Sequence, residues 1–263
     1  MNIAIVYFSG TGNTKRVGEV FKSKLEHMGH SPDMVDISLK NSKLKGYDLV
    51  IAGSPTYTMS SSHNLHAFIK KNISKSDNPN ADFITYVTHG WGTSYGHLTL
   101  KDTAKKLGFS VLGAKAFLAP SNFYMFNESV QPKQSTIEIE QLQSSILNQV
   151  TQVLDSYLDK SIHIEKHSVI KKQQIALMSK LARKVFITQF SKKMLKVDPD
   201  KCTQCTVCVK KCPNQNIVLT HGQIHFGTDC SACGRCMHIC PKNAYLYKDK
   251  PFEQFDLHQK LIV

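Results

Sequence analysis

Eight cysteines, all beyond residue 201, are the side chains of this 263-residue chain best suited to redox chemistry. They form two repeats of identical spacing, C-x2-C-x2-C-x3-C-P, which read CTQCTVCVKKCP and CSACGRCMHICP. Three thiolates spaced two residues apart can ligate three irons of one iron–sulfur cube, and a fourth cysteine before a proline ligates the other cube. The spacing therefore predicts two 4Fe-4S clusters and leaves no cysteine free as a nucleophile.

Each cluster takes its fourth ligand from the other repeat in this assignment. The first cluster is expected to bind Cys202, Cys205, Cys208 and Cys240, and the second Cys230, Cys233, Cys236 and Cys212. A pair of zinc sites is the alternative, because C-x2-C pairs also bind zinc, but it leaves the cysteine before each proline without a role. The segment resembles bacterial two-cluster ferredoxins, which pass single electrons, and every ligand position of that pattern is present.

A second chemical feature lies near the N-terminus, where YFSGTGNT follows an apolar run and precedes a stretch of helical character. Backbone N–H groups at such a glycine-rich helix start bind phosphate, and the hydroxyls of Ser9, Thr11 and Thr14 can add donors. The stretch matches neither the triphosphate loop G-x-x-x-x-G-K-S/T nor the dinucleotide loop G-x-G-x-x-G, so a terminal monophosphate fits better than ATP. An ordinary capped helix start is the alternative.

The elements that must position this loop alternate between strand and helix over residues 1–160. Continuous apolar runs predict five strands, at 3–8, 34–37, 49–52, 83–87 and 111–118, and helical periodicity predicts helices at 15–27, 65–73, 99–107 and 135–157. Short apolar strands joined by helices form a parallel sheet covered on both faces, which binds ligands beyond the carboxyl ends of its strands. The turns SGTGNT, GSPTYTMSSSHN, THGWGTSYG and APSNFYMFNES are therefore expected to build the site.

The loop SGTGNT, on the first strand of a doubly wound five-stranded pattern, resembles the phosphate loop of the flavodoxins, which bind FMN. The resemblance extends over residues 1–160 and implies that the FMN phosphate contacts Ser9, Gly10, Thr11, Gly12, Asn13 and Thr14. It also implies that the flavin ring lies near Pro55, Thr56, Tyr57, Thr58, Thr88, His89, Gly90, Trp91, Gly92 and Tyr95. Which aromatic residue stacks on the ring stays open, and no residue is assigned a catalytic role.

Two features depart from the flavodoxin pattern. Residues 1–160 carry 16 Lys and Arg against 13 Asp and Glu, whereas free bacterial flavodoxins are strongly acidic, which indicates a different partner. The last of the four turns, residues 119–129, is also rich in aromatic residues, which leaves room for a pocket that binds something besides flavin.

The second part of the chain, residues 161–263, is more basic, with 17 Lys and Arg against 7 Asp and Glu. Nine of these positive residues lie within 166–196, where there is no acidic residue and apolar residues recur at helical intervals. We predict a basic amphipathic helical linker over 161–196, a small α+β ferredoxin domain over 197–250 and a tail over 251–263. The positive field should attract an acidic redox partner of the ferredoxin or flavodoxin type. Peripheral contact with an anionic membrane is the rival use.

The sequence also bears on the cellular location and the partners of the protein. No apolar run approaches the roughly 20 residues of a membrane span, and the N-terminus lacks the features of a secretion signal. No recognised nucleic-acid-binding motif accompanies the positive charge, so we expect no nucleic-acid partner. A cytoplasmic protein is the expectation, in which eight cysteines indicate metal or redox chemistry rather than structural disulfides.

The two halves together resemble the fused flavodoxin–ferredoxin proteins of anaerobic microbes. The resemblance implies an electron-transfer flavo-iron–sulfur protein that relays single electrons between two 4Fe-4S clusters and FMN. One alternative is an FMN-dependent reductase, fed by the clusters, of a small acceptor bound near Trp91 and residues 123–126. The other is a redox-sensing module anchored through the basic linker. The direction of electron flow, the donor and acceptor, and the oligomeric state are not predicted.

Overall fold

The computed structural model describes residues 1–39, 42–91, 94–126, 133–165, 185 and 189–255. Its first part is built on one sheet, whose strands are β1 (Ile3–Tyr7), β2 (Asp33–Asp36), β3 (Leu49–Tyr57), β4 (Ser60–Ser61), β5 (Asp82–His89), β6 (Ser110–Leu118) and β7 (His163–Ile164). The order across the sheet is β2-β1-β3-β5-β6-β7, and neighbours along this path are parallel. Strand β4 pairs antiparallel with the end of β3.

The five predicted strands all form, and the apolar runs of the central strands β1 and β3 are buried between two layers of helices. Every residue of β1 is buried, as are the first six of β3. The chain reverses its direction of progress across the sheet between β1 and β3, so the doubly wound, flavodoxin-like fold class is confirmed. The strands β4 and β7 were not predicted, because two residues are too few to carry a pattern. Strand β7 lies in the segment that the sequence assigned to the linker.

Four helices cover the sheet: α1 (Asn13–His27), α2 (His63–Asn72), α3 (Gly96–Lys106) and α4 (Thr136–Leu158). Helices α2 and α3 bury Phe68 and Leu100 against one face of the sheet. Helices α1 and α4 bury Phe21 and Val150 against the other face. The carboxyl ends of the strands, and with them the predicted ligand loops, are left uncovered by this arrangement.

The described residues of the second part form two antiparallel strand pairs, two short α-helices and a five-residue π-helix (Phe190–Met194). Strand β8 (Leu195–Val197) pairs antiparallel with β11 (Tyr245–Tyr247), and β9 (Ile217–Thr220) pairs with β10 (Gln223–Phe226). The helices are α5 (Val207–Lys210) and α6 (Arg235–His238). This mixture of strands and helices agrees with the predicted small α+β domain. Its core buries Phe190, Met237 and Tyr245, and four of the cysteines pack against it.

The two cysteine repeats share their backbone conformation as well as their sequence spacing. Thr206 before α5 and Gly234 before α6 both have positive φ, of 60° and 71°. Gln204 and Ala232, two residues earlier, are likewise left-handed. A left-handed residue between successive cysteines turns the chain back on itself, which lets neighbouring sulfurs face one centre.

Most of the predicted basic linker, residues 166–184 and 186–188, lies outside the described residues. The predicted helix over it therefore stays a prediction. Among the described helices, none combines the length and the apolar character needed to cross a membrane.

Candidate functional site

The loop between β1 and α1 has the geometry of an anion cradle. The side chains of Ser9, Thr11 and Thr14 are all buried at the start of α1. The hydroxyl oxygen of Ser9 accepts hydrogen bonds from the backbone N–H groups of Gly12 at 3.1 Å and Lys15 at 3.3 Å. Gly12 has φ of 102°, a conformation that favours glycine, and this residue turns the loop into the helix. The first turn of α1 has no acidic residue to repel an anion.

Loops from three strands converge on this cradle. The hydroxyl groups of Thr14 and Thr88, at the end of β5, lie 2.8 Å apart. The side-chain amide of Asn13 donates to the carbonyl oxygen of Pro120 after β6 at 2.6 Å. The side-chain amide of Asn122 donates to the hydroxyl oxygen of Thr11. These bonds hold the loop after β1 against the end of β5 and the loop after β6.

A small cavity of about 60 Å³ lies at the centre of the converging loops. Eleven of the sixteen residues that the flavodoxin resemblance selected line it, namely Ser9, Gly10, Thr11, Asn13, Thr14, Pro55, Thr56, Tyr57, Thr88, His89 and Gly90. Ala119, Pro120 and Asn122 line it too and were not selected. The turn that contains them was identified from its position after a strand, but nothing in its sequence distinguished Asn122 from the other polar residues.

The loops that follow β3 and β5 are joined to each other. The hydroxyls of Thr56 and Ser94 lie 2.7 Å apart, and the backbone N–H of Tyr95 donates to the carbonyl oxygen of Met59 at 3.2 Å. Thr58 and Met59 both have positive φ, which is unusual for residues other than glycine, asparagine and aspartate. Such strained turns cluster at binding sites, where the surrounding structure holds them in place.

The aromatic candidates for a flavin contact occupy different environments. Tyr57 lines the cavity, and burial together with the nearby Cys233 raises the pKa of its hydroxyl well above the usual value. Trp91 is 59% exposed, whereas Tyr95 is buried at the start of α3. Gly92 lies outside the described residues. Tyr57 is thus the one of these three aromatic residues that lines the cavity.

The residues of this cavity fit a phosphate ester. Four buried hydroxyl groups, those of Ser9, Thr11, Thr14 and Thr88, surround a helix start. The Nδ1 atom of His89 is buried and has no hydrogen-bond partner among the described residues. Burial lowers the pKa of His89, so the ring is neutral at pH 7 and can donate or accept a bond to a ligand. Hydroxyls and helix N–H groups, without a lysine, match the single phosphate of FMN.

The cysteines form two groups, and each group mixes the two repeats. Cys202, Cys205, Cys208 and Cys240 line one small cavity of about 20 Å³ together with the ring of Tyr245. Burial raises the pKa of Cys208, and its neighbours Cys240 and Cys205 raise it further. This group is the ligand set predicted for the first cluster.

The second group contains the remaining four cysteines. Burial raises the pKa of Cys230 to about 12, and the neighbouring sulfurs that raise it are those of Cys233 and Cys212. Burial, together with the neighbouring sulfurs of Cys233, Cys230 and Cys212, raises the pKa of Cys236 well above that of an ordinary thiol. This group is the ligand set predicted for the second cluster.

Backbone N–H groups complete both cysteine groups in a matched way. Cys212 accepts a hydrogen bond from Asn216, and Cys240 accepts one from Ala244, at 3.3 and 3.4 Å. Each pair is separated by four residues in its repeat. In the described part of the chain no three His, Cys, Asp or Glu side chains are grouped closely enough to hold a single metal ion. Thiolates around a four-iron cube bind its separate corners, so they need not converge on one point.

Tyr245 lies between the two cysteine groups. Its hydroxyl is close to Cys236 of one group and to Cys208 of the other, and burial is the largest cause of its strongly raised pKa. The ring is only 1% exposed. Tyr245 therefore separates the groups with a side chain that stays neutral at any ordinary pH.

The cysteine domain docks onto the loop end of the sheet. His238 on α6 donates from Nε2 to the carbonyl oxygen of Asn122 at 2.9 Å, while its Nδ1 accepts the N–H of Phe255 at 3.0 Å. The hydroxyl of Tyr124 donates to the carbonyl oxygen of Glu253. The aromatic turn after β6 serves this docking, since Phe123 also packs on Phe190 of the cysteine domain at a ring distance of 5.5 Å.

Comparison with known families agrees with both halves of this architecture. A model of the flavodoxin domain matches residues 4–107, and a model of the 4Fe-4S dicluster domain matches residues 201–245. No curated protein matches the chain.

Several solved structures are similar to part of this chain. A flavodoxin from the domain Archaea is 17% identical over 58% of this chain and 99% of its own, with a TM-score of 0.41. The two-electron reduced flavodoxin of Megasphaera elsdenii is 22% identical over 43% of this chain and 84% of its own, with a TM-score of 0.35. Rubredoxin oxygen:oxidoreductase from the anaerobe Desulfovibrio gigas is 15% identical over 58% of this chain but 37% of its own, with a TM-score of 0.37. The two family matches show that this chain is a fusion of an N-terminal flavodoxin domain with a C-terminal 4Fe-4S dicluster domain, and hence in general terms an electron-transfer flavo-iron–sulfur protein.

Proposed function

We propose that the protein relays single electrons between two 4Fe-4S clusters and one FMN. Clusters of this type exchange one electron at a time, whereas a flavin exchanges one or two electrons together with protons. The contribution of the chain is to hold the three groups in fixed positions within one molecule. Tethering makes each transfer independent of protein concentration.

The residues proposed to hold the FMN phosphate are those of the buried cradle. Ser9, Thr11 and Thr14 supply hydroxyl donors, and the start of α1 supplies N–H groups and a positive dipole end. A hydrogen bond to a charged phosphate oxygen contributes roughly 1.5–3 kcal/mol each. Riboflavin, which lacks the phosphate, gains nothing from these donors, so the cradle should select FMN over riboflavin.

The residues proposed to hold the clusters are the two mixed groups of cysteines. Cys208 neighbours Cys240 rather than the nearer-numbered Cys212, which supports the exchange of the fourth ligand between repeats. Cys212 in turn neighbours Cys230 and Cys236. The matched N–H···S bonds at Cys212 and Cys240 would stabilise the negative charge of the ligated sulfurs equally in both clusters.

The observation that carries the proposal is the double contact of Asn122. Its side-chain amide donates to Thr11 in the phosphate cradle, and its carbonyl oxygen accepts from His238, two residues after Cys236. One residue therefore joins the proposed FMN site to the proposed cluster domain. A chain that only carried two independent redox centres would not need them docked.

The composition of anaerobically purified protein tests the proposal. We expect one FMN together with about eight iron and eight acid-labile sulfide per chain. Reduction of the clusters by a one-electron donor should be followed by reduction of the flavin. Two zinc ions without sulfide, or tight binding of FAD with no affinity for FMN, would overturn the assignment.

A second candidate is a reductase that passes the electrons to a small acceptor, and one cavity favours it. A groove of about 350 Å³ lies between the domains, within the range of ligand pockets. Phe68 and Lys71 of α2 line it on one side, and Asn214 and Asp229 line it beside Cys212 and Cys230 on the other.

The two candidates differ in their response to a blocked groove. Ala67 is exposed on α2 and lines the groove, so an Ala67→Trp change should fill it without disturbing the core. If quinones or nitroaromatic compounds are turned over and this change abolishes turnover while Lys70→Trp on the same helix does not, the reductase is favoured. Unchanged turnover in both variants would leave the groove without a catalytic role.

The partner of the relay is proposed to be an acidic redox protein of the ferredoxin or flavodoxin type. The support for this is the excess of 17 Lys and Arg over 7 Asp and Glu in residues 161–263. A positive field raises the association rate of an acidic partner more than it raises the final affinity.

A further inference from the structure

Arg235, the first residue of α6, reaches from the cysteine domain into the phosphate loop. Its guanidinium donates to the carbonyl oxygens of Ser9 at 2.5 Å and Gly10 at 3.2 Å. It also donates to the hydroxyl of Ser38 at 3.2 Å and to the carbonyl oxygen of Lys211 at 3.4 Å. One side chain thus joins the loop after β1, the loop after β2 and both cysteine repeats.

The same contact places the second cysteine group directly against the loop. A Cβ atom on Gly10 would lie 2.4 Å from the carbonyl oxygen of Cys233 and 3.1 Å from its Cβ. A Cβ on Gly234 would lie 3.8 Å from the methyl group of Thr11. Cys233 packs against the sheet core, as does Tyr57. The backbone of Gly10 therefore lies directly against that of Cys233.

The first cysteine group lies among residues of the cysteine domain rather than against the phosphate loop. The cavity that its four cysteines line is bounded by residues of the cysteine domain, including Val197, Ile224 and Tyr245. Cys205 is exposed to solvent. A partner protein can therefore approach this group without displacing the sheet domain.

We propose that the cluster bound by Cys230, Cys233, Cys236 and Cys212 is the one that exchanges electrons with the flavin, and that Arg235 is the positioning residue that fixes this cluster against the phosphate loop. This inference rests on the proposed electron relay and adds the order in which the two clusters and the flavin exchange electrons. An external one-electron reductant would reduce the cluster of Cys202, Cys205, Cys208 and Cys240. That electron would pass to the second cluster and then to the flavin. Two such electrons, with protons from solvent, reduce the flavin fully.

The role needs arginine rather than any positive charge. A guanidinium is planar and offers five N–H donors in a fixed fork, whereas a lysine ammonium is a compact point charge on a flexible stem. Arg235 uses its donors on four oxygen acceptors, three of them backbone carbonyls whose positions the fold fixes. A lysine at this position could satisfy only some of them, so it should restore docking in part.

Phosphorus NMR of the FMN-loaded protein tests the order of the centres without relying on turnover. With flavin fully reduced, the remaining paramagnetic centres are the reduced clusters, which broaden the resonance of a nearby phosphate. We expect this broadening to persist in Cys205→Ala, which removes a ligand of the first cluster. We expect it to be lost in Cys230→Ala, which removes a ligand of the second. Loss in Cys205→Ala with persistence in Cys230→Ala would overturn the order.

Variants of Arg235 test the positioning role in the same preparation. Arg235→Gln should at least halve the phosphorus line broadening and slow flavin reduction by at least tenfold after a light pulse that reduces the clusters. Arg235→Lys should fall between this variant and the unmodified protein. Lys250→Gln, which removes an exposed charge from the same domain, should match the unmodified protein. An Arg235→Gln protein with full iron, sulfide and FMN that keeps both values would refute the positioning role. Absence of FMN or of either cluster in the unmodified protein would instead refute the proposed relay itself.

Discussion

The hydroxyl groups of Thr14 and Thr88 lie 2.8 Å apart, although 74 residues separate them along the chain. The first belongs to the start of α1 and the second to the end of β5, and both are buried. The carbonyl oxygen of Thr14 also accepts the hydroxyl of Tyr86 at 2.9 Å. These bonds anchor the proposed phosphate cradle to the centre of the sheet. The protein itself therefore organises the cradle, and a bound ligand is not needed to do so.

Removing two hydroxyl donors of the cradle should weaken FMN binding selectively. We expect a Thr11→Ala, Thr14→Ala protein to bind FMN at least tenfold more weakly, because each lost bond to a charged phosphate oxygen is worth roughly 1.5–3 kcal/mol. Riboflavin affinity should be spared. Titration of flavin fluorescence measures both, and Thr220→Ala on β9 is the control. An equal loss for the two ligands would show that the loop does not hold the phosphate.

Replacing Cys212 by serine should damage the cluster that is bound mainly by the other repeat. Cys212 neighbours Cys230 and Cys236, so Cys212→Ser is expected to perturb the cluster held mainly by the second repeat. Paramagnetic resonance of the reduced protein, with iron counted per chain, makes the comparison. Cys240→Ser is the matched variant and should perturb the first cluster. Damage confined to the cluster of Cys202, Cys205 and Cys208 in the Cys212 variant would contradict the exchange of ligands.

Loss of one hydroxyl at the domain contact should destabilise the docked cysteine domain. Tyr124 is 6% exposed and donates to the carbonyl oxygen of Glu253, so Tyr124→Phe leaves that acceptor without its donor. The expected cost is about 1–3 kcal/mol. Urea unfolding followed by bleaching of the clusters measures it. Tyr47→Phe is the control, because its bond to Asp33 is exposed and water can replace it. Equal midpoints for the two variants would mean that the Tyr124 contact does not hold the domain.

Electron transfer from an acidic partner should slow as salt is added. Screening shortens to roughly 8 Å at physiological ionic strength, which weakens attraction to the basic segment. Replacing Lys171, Lys172, Lys192 and Lys193 by Gln should slow transfer at low salt and flatten its salt dependence. Lys192 and Lys193 are exposed at the end of this segment, while Lys171 and Lys172 lie outside the described residues.

The control for this charge effect is a pair of lysines on the other domain. Lys105 and Lys106 are exposed at the end of α3, and their replacement by Gln should leave the salt dependence unchanged. If the rate of electron transfer to the unmodified protein does not change with salt, the basic segment has no role in docking the partner. Sedimentation of the protein with anionic vesicles would favour the membrane as the partner of that segment.

The parts of the molecule that could be predicted from sequence are those set by local pattern. Continuous apolar runs specify β1, β3 and β5, which are largely buried between the two layers of helices, whereas the edge strand β2 buries only Val35. Identical cysteine spacing predicted two groups that mix the repeats, and Cys240 lines one cavity together with Cys202, Cys205 and Cys208. The loop SGTGNT was identified because a strand and a helix flank it.

The parts that could not be predicted depend on contacts between distant segments. Arg235 contacts Ser9, Gly10 and Ser38 across the domain boundary, and His238 contacts Asn122 across it. Isolated polar residues of this kind carry no periodic signal in the sequence. The aromatic turn after β6 was interpreted as room for a further pocket, but its Phe123 packs on the cysteine domain. Trp91, which the flavodoxin resemblance placed near the flavin ring, is 59% exposed and is not among the residues that line the cavity.

Time-resolved absorption after a flash of a one-electron reductant tests the central claim most directly. In anaerobic protein loaded with FMN, the cluster absorption should bleach first and recover as the flavin is reduced. The rate constant of the second phase should be the same at every protein concentration, because the groups are tethered in one molecule. A flavin phase whose rate rises in proportion to protein concentration would contradict the proposed relay.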